Sequence, residues 1–130
     1  MSVSVLLITH AGLGSALLTA ARAVIGPLPL RADTMGYANG DAVDAACARA
    51  GRLLQELDQG MGVLVLTDLY GATPSNIASR LLDQGVDMRR VSGVNLPMLL
   101  RVLNYHDQTL EDLVAIAAAG ARTGVVIDSA

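Results

Sequence analysis

Apolar positions along the chain fall into two patterns, and their alternation predicts an ordered series of strands and helices. Val3 to Thr9 is a nearly continuous run of Val, Leu and Ile bounded by His10-Ala11-Gly12-Leu13-Gly14, as expected of a buried parallel strand followed by a turn. The Ala- and Leu-rich stretch from Ser15 to Val24 predicts a helix that stops at Gly26-Pro27. A weaker strand is expected over Leu30 to Met35, then a turn at Asn39-Gly40-Asp41. The clearest helix follows: Val43, Ala46, Cys47, Ala50, Leu53, Leu54 and Leu57 recur at helical spacing, with Asp44, Arg49, Arg52 and Glu56 on the other face. Gly60-Met61-Gly62 ends it.

A second apolar run, Val63 to Thr67, stops at Asp68 much as the first stops just before His10. Beyond the loop Leu69 to Ala72, Thr73 is the expected N-cap of a helix with Pro74 in its first position and Ile77, Leu81 and Leu82 as its apolar stripe. Arg90 to Val94 predicts a fourth strand, and Asn95-Leu96-Pro97-Met98 opens another helix. Thr109 with Asp112 resembles a capping box before a last Ala-rich helix to Ala121. Gly124-Val125-Val126-Ile127 is expected to close the chain as a short strand. Strands alternating with helices imply a parallel α/β sheet covered on both faces, with ligands beyond the strands' carboxyl ends where the strand order reverses. With strand 1 between strands 2 and 3, His10 and Asp68 face one another there.

Composition narrows this picture. The 130 residues suit one domain spanning 1–130, and with 52% hydrophobic residues but no Phe or Trp the core must rest on Leu, Val, Ile, Ala and Met. A net charge of -3 and a pI near 5.1 argue against nucleic acid as a partner. All nine basic residues are Arg, which excludes Schiff-base lysine chemistry and a Walker-type phosphate lysine. Cys47, the single cysteine, has no disulfide partner within the chain and reads as a small buried hydrophobe. Two histidines without a His/Cys cluster give no metal site, and no cofactor is expected. The apolar N-terminal stretch lacks a basic leader and falls short of the about 18 residues of a membrane span, so a soluble cytoplasmic protein is expected.

The chemistry open to this arrangement is phosphoryl transfer. A neutral imidazole is a good nucleophile when one ring nitrogen is held and the other is free. Asp68 can do the holding, fixing the tautomer of His10 and stabilising positive charge that develops on the ring. The phosphoryl group needs donors, and the helix start near Thr73 offers backbone N–H groups around Gly71, Ala72, Thr73, Ser75 and Asn76 with the Thr73 and Ser75 hydroxyls. Gly12 and Gly14 let the first loop come close. Each residue also has a plainer role: His10 as a satisfied structural histidine, Asp68 as a turn cap, Thr73-Pro74 as ordinary helix initiation. Their joint placement at two strand ends favours the chemical role. His106, in the polar connector Asn104-Tyr105-His106-Asp107, reads as a solvated surface residue. Gly12-Leu13-Gly14-Ser15-Ala16-Leu17, with Asp33 further on, superficially matches a dinucleotide fingerprint, but Leu17 stands at its third glycine position and His10 would have no role.

Three segments resemble a known family, the IIA components of the mannose/fructose/sorbose class of the bacterial sugar phosphotransferase system. They are Ile8-Thr9-His10, Leu66-Thr67-Asp68-Leu69-Tyr70-Gly71-Ala72-Thr73-Pro74-Ser75-Asn76, and Ser92-Gly93-Val94-Asn95-Leu96-Pro97-Met98-Leu99. The resemblance covers nearly the whole chain. It implies a three-layer α/β/α domain with a four-stranded parallel sheet in the order 2-1-3-4, and a homodimer in which the C-terminal strand is exchanged. It implies that His10 accepts phosphate from the carrier HPr and passes it to a IIB protein, with Asp68 as orienting partner and Thr73 and Ser75 on the phosphate side. Membrane association would be at most peripheral, through the sugar permease complex. Two departures are Ala11, where the family usually has glycine after the histidine, and Ala72, in place of a frequent second glycine. The sequence ends at Ala130 without a linker or IIB domain, so a stand-alone IIA is expected. Two alternatives remain open: a regulatory protein whose His10 phosphorylation state controls a protein target, and a phosphotransfer subunit for dihydroxyacetone kinase.

Overall fold

Strands whose residues are apolar on both sides need cover on both sides, and the computed structural model, which describes residues 1–129, supplies it in three layers. The elements run β1 (Ser4–His10), α1 (Leu13–Ile25), β2 (Ala32–Tyr37), α2 (Val43–Leu57), β3 (Val63–Thr67), α3 (Thr73–Ser79), β4 (Met88–Ser92), α4 (Leu96–Asn104) and α5 (Leu110–Thr123). The expected C-terminal boundary at Ala130 lies outside the described residues. All four strands are parallel in the order β2-β1-β3-β4, with Ile8 opposite both Met35 and Thr67.

Alternation along the two central strands divides the core. Val5 and Leu7 of β1 with Leu64 and Leu66 of β3 pack against Leu18, Met98, Leu99, Val102 and Leu113 from α1, α4 and α5. Their neighbours Leu6, Ile8, Val63 and Val65 face the other way, onto Ala46, Ala50, Leu54, Ile77 and Leu81 on the α2 and α3 side. Edge strands β2 and β4 carry mixed sequences, and Arg89 and Arg90 of β4 are exposed. The chain turns back between β1 and β3, so the carboxyl ends of these two strands flank the switch point of the sheet. Among the described residues no helix is long and apolar enough to cross a membrane.

Several expectations shift. Helix α1 begins at Leu13, two residues before the expected start, because Gly12 takes φ +90° and turns the chain directly into the helix. Strand β2 lies two residues later than expected, and β4 two residues earlier, ended by Gly93 at φ +91°. Thr73 is not the N-cap of α3: Ala72 holds that position and no side chain caps the helix. Leu82 is 53% exposed rather than part of an apolar stripe, since α3 stops at Ser79 and the helical period stops with it. Cys47 is half-buried, on the margin of the α2 core rather than within it. The segment Gly124 to Ile127 forms no strand: within one chain it meets no sheet edge, and Val125, Val126 and Ile127 stand 72%, 74% and 91% exposed. Other helix starts follow expectation. The Asn95 side chain accepts the Met98 N–H at 2.8 Å, and the Thr109 hydroxyl accepts the Asp112 N–H at 3.2 Å.

Candidate functional site

His10 ends β1 and Asp68 follows β3 directly, so two adjacent parallel strands deliver both side chains to the same edge of the sheet. Asp68 Oδ2 accepts two hydrogen bonds from one residue, the His10 backbone N–H at 2.9 Å and the His10 ring Nδ1 at 2.7 Å. Its other oxygen, Oδ1, accepts the Leu69 N–H at 3.1 Å. The Asp68 side chain is 9% exposed and the His10 side chain 49%, so the carboxylate is sheltered while the ring presents its far side to solvent.

Burial acts most strongly on the Asp68 carboxyl and opposes its charge. The His10 backbone N–H, the His10 ring and the residue's own backbone N–H together outweigh that penalty and hold it below the usual carboxylate range. Asp68 is therefore ionised at neutral pH and can only accept hydrogen bonds, so the shared proton resides on Nδ1. In the neutral ring this leaves a lone pair on Nε2, pointing away from the aspartate.

The loop after Asp68 turns through Gly71 at φ +85°, a conformation that a side chain would strain, and enters α3 at Thr73. Ala72 has φ -78° and ψ 171°, and neither it nor Ala11 has positive φ, so alanine fits at both positions where the resemblance calls for glycine. Of the expected phosphate-side residues, Gly71, Ser75 and Asn76 line a cavity of about 510 Å³ with Thr67, Arg90 and Ser92, while Ala72 and Thr73 sit half-buried beside it. The lining of that cavity includes neither His10 nor Asp68. Ser75 is 5% exposed, and the Asn76 amide reaches the Gly71 carbonyl at 3.5 Å. The sheet thus brings His10 and Asp68 into contact, with the Gly71–Asn76 segment following directly in sequence.

His106 lies elsewhere, in a hollow with Met1, Arg31, Gln59 and Asp107. Asp33 is exposed and accepts its neighbour's N–H, Thr34, at 2.7 Å. Sequence reasoning passed over Thr9, a fully buried polar residue next to the histidine. A buried hydroxyl at the end of the apolar run Val5 to Ile8 is the available signal.

Residues 4–118 match the family model EIIA-man, described as PTS system fructose IIA component. The PTS system mannose-specific EIIAB component of Escherichia coli (strain K12) is 29% identical over 127 residues, which are 96% of this chain and 39% of that protein. This chain therefore spans well under half the length of that relative. The mannose/sorbose specific IIA subunit of the phosphotransferase system from Enterococcus faecalis shares the fold with a TM-score of 0.86 at 23% identity, covering 100% of this chain and 97% of that one. The PTS IIA protein associated with the fucose utilization operon from Streptococcus pneumoniae superimposes with a TM-score of 0.75 at 26% identity, over 98% of this chain and 96% of that one.

Proposed function

The chain belongs to the EIIA-man family of phosphotransferase-system IIA components, and from that premise we propose that it carries a phosphoryl group on His10 Nε2, taken from HPr and given to a IIB protein. The observation that carries this reading is the 2.7 Å contact between His10 Nδ1 and Asp68 Oδ2, which engages one ring nitrogen and leaves the other as the nucleophile.

The transfer balances without a proton moving. The Nε2 lone pair forms the new N–P bond while the bond from phosphorus to the donor breaks and its electron pair returns to the donor. Positive charge developing on the His10 ring is met by the Asp68 carboxylate, and the Nδ1 proton stays in place. Onward transfer to the acceptor runs the same exchange from the other side.

On the phosphate side we assign Gly71, Ala72, Thr73, Ser75 and Asn76. Support comes from topology: α1 and α3 both start at the carboxyl edge of the sheet, so the positive ends of two helix dipoles lie at the same edge as His10. First-turn N–H groups such as those of Thr73 and Ser75 have no carbonyl partner inside α3, which leaves them available to an anion. The absence of lysine makes such backbone donors the natural choice.

The reading includes a single domain over 1–130, acting in the cytoplasm as a homodimer without cofactor or metal, with any membrane contact made through a permease complex. The homodimer draws support from the open edge of β4 and from the exposed apolar residues Val125, Val126 and Ile127 beyond α5.

The test is incubation with phosphoenolpyruvate, Enzyme I and HPr, followed by intact-mass analysis and NMR of the labelled ring. One acid-labile phosphoryl group on Nε2 is expected, lost in His10→Ala and kept in His106→Ala. Labelling that survives His10→Ala overturns the assignment.

A further inference from the structure

We infer that Thr9 is a positioning residue for phosphoryl transfer, holding the peptide of His10 in the orientation that keeps the ring on Asp68; this rests on the carrier reading above. Thr9 is fully buried at the penultimate position of β1, on the face that Val5 and Leu7 present to α1. Valine would suit such a position by shape and hydropathy, so the hydroxyl needs a reason. A buried hydroxyl is costly unless paired, and this one is paired twice. It donates to the His10 carbonyl at 2.8 Å and accepts the Gly14 N–H at 2.9 Å.

The second bond replaces a missing cap. Helix α1 starts after Gly12, which has no side chain to satisfy the first-turn N–H groups, and Gly14 is its second residue. Thr9 supplies that acceptor from five residues upstream. The approach is close: a Cβ on Gly14 would run into the Thr34 hydroxyl and would lie 3.1 Å from Thr9 Oγ1 and 3.2 Å from Leu7 Cβ. The hydroxyl therefore ties the start of α1 to the peptide that leaves His10.

His10 is consequently gripped from both sides of its backbone. Its N–H is held by Asp68 and its carbonyl by Thr9, while its ring bonds to the same aspartate oxygen as its N–H. Without the Thr9 hydroxyl the His10–Ala11 peptide keeps only its bond from the Ala11 N–H to the Tyr37 carbonyl, at 2.9 Å, and its carbonyl end is released. The Nδ1 contact then loosens, and the tautomer with a bare Nε2 loses its exclusive hold.

The experiment compares the wild-type chain with Thr9→Val, which keeps the branched shape and removes both hydrogen bonds, and with Thr9→Ser, which keeps the hydroxyl. Imidazole nitrogen NMR of the unphosphorylated protein, at a pH where the ring is neutral, should find the His10 proton on Nδ1 in wild type and Thr9→Ser and a tautomer mixture in Thr9→Val. Transfer from phosphorylated HPr should lose about tenfold in kcat in Thr9→Val with KM unchanged, and recover in Thr9→Ser. A Thr9→Val protein with the wild-type ring spectrum and kcat overturns the inference. If that variant does not fold, Thr9→Ala and Thr9→Ser replace it as a pair differing by the hydroxyl alone, and equal spectra and rates for the two again overturn it. A wild-type chain that takes up no phosphoryl group would refute the carrier reading, while the ring spectra would still decide the role of Thr9.

Discussion

Asp68→Asn separates charge from hydrogen bonding at the site. The carboxylate accepts three hydrogen bonds, two from His10 on Oδ2 and one from Leu69 on Oδ1, and asparagine has only one accepting atom. If the amide oxygen stays on His10, the NH2 group faces the Leu69 N–H donor to donor. If the amide flips, the NH2 opposes the His10 backbone and drives the ring proton onto Nε2, which blocks the nucleophile. Both arrangements also remove the negative charge beside a ring that becomes positive in the proposed transfer.

Two unit charges 4 Å apart near a surface interact by about 4 kcal/mol, an upper bound here because the His10 side chain is 49% exposed. Hydrogen bonds to charged groups contribute about 1.5–3 kcal/mol against about 1 kcal/mol for neutral ones. Replacing the charged bond by the neutral one loses about 0.5–2 kcal/mol, which at about 1.36 kcal/mol per factor of ten is a rate lower by about twofold to thirtyfold. Rapid-quench measurement of phosphoryl uptake from phosphorylated HPr at saturating donor reads this directly. A rate within about twofold of wild type would refute the role given to the aspartate charge.

Two further outcomes follow from the same structure. Because the folded state holds the Asp68 carboxyl below its ordinary pKa, its contribution to stability is present above the unfolded value, about 3.8, and is lost as pH falls through the lower folded value. The stability gap between wild type and Asp68→Asn in urea unfolding should thus hold steady above about pH 5 and shrink as pH falls below about pH 4, and a gap independent of pH there contradicts this. Deleting residues 125–130 should convert the proposed dimer to a monomer and lower the thermal midpoint by what association supplies, since within one chain Val125, Val126 and Ile127 are 72–91% exposed and contribute little to the fold. Sedimentation of the truncated chain as a dimer would remove strand exchange from the proposal.

How much of this was legible in the residues depended on whether the deciding forces were local. Helix α2 and strand β3 fall on the expected residues, Val43–Leu57 and Val63–Thr67, because apolar periodicity and flanking glycines set their limits within the segment itself. The meeting of His10 and Asp68 was legible as soon as the strand order was, since a parallel pair brings both carboxyl ends to one edge. The edge strands were placed two residues off because their mixed sequences, Ala32–Tyr37 and Met88–Ser92, repeat no period, and register with β1 and β3 decided them instead. Ala72 rather than Thr73 became the N-cap of α3, as the first-turn position of Pro74 allows a start at either residue. The closing strand failed for a different reason: β-propensity in Val125-Val126-Ile127 specifies a readiness to pair but no partner, and within one chain the segment pairs with neither edge strand, β2 or β4. Thr9 carries only a weak sequence signal of its own because period-two reasoning counts a single hydroxyl on a buried face as noise, and its bond to Gly14 appears only once α1 is in place.

The convergence of two His10 donors on one oxygen of Asp68 has a dynamic consequence. A histidine side chain turns about two torsions, and here the loop closed through Oδ2, from ring nitrogen back to the same residue's amide, fixes both relative to the strand. The entropy of ordering the ring is surrendered when the chain folds, not when a partner arrives. Under the carrier reading proposed above, the ring then has no swivel to wait for between taking up a phosphoryl group and handing it on.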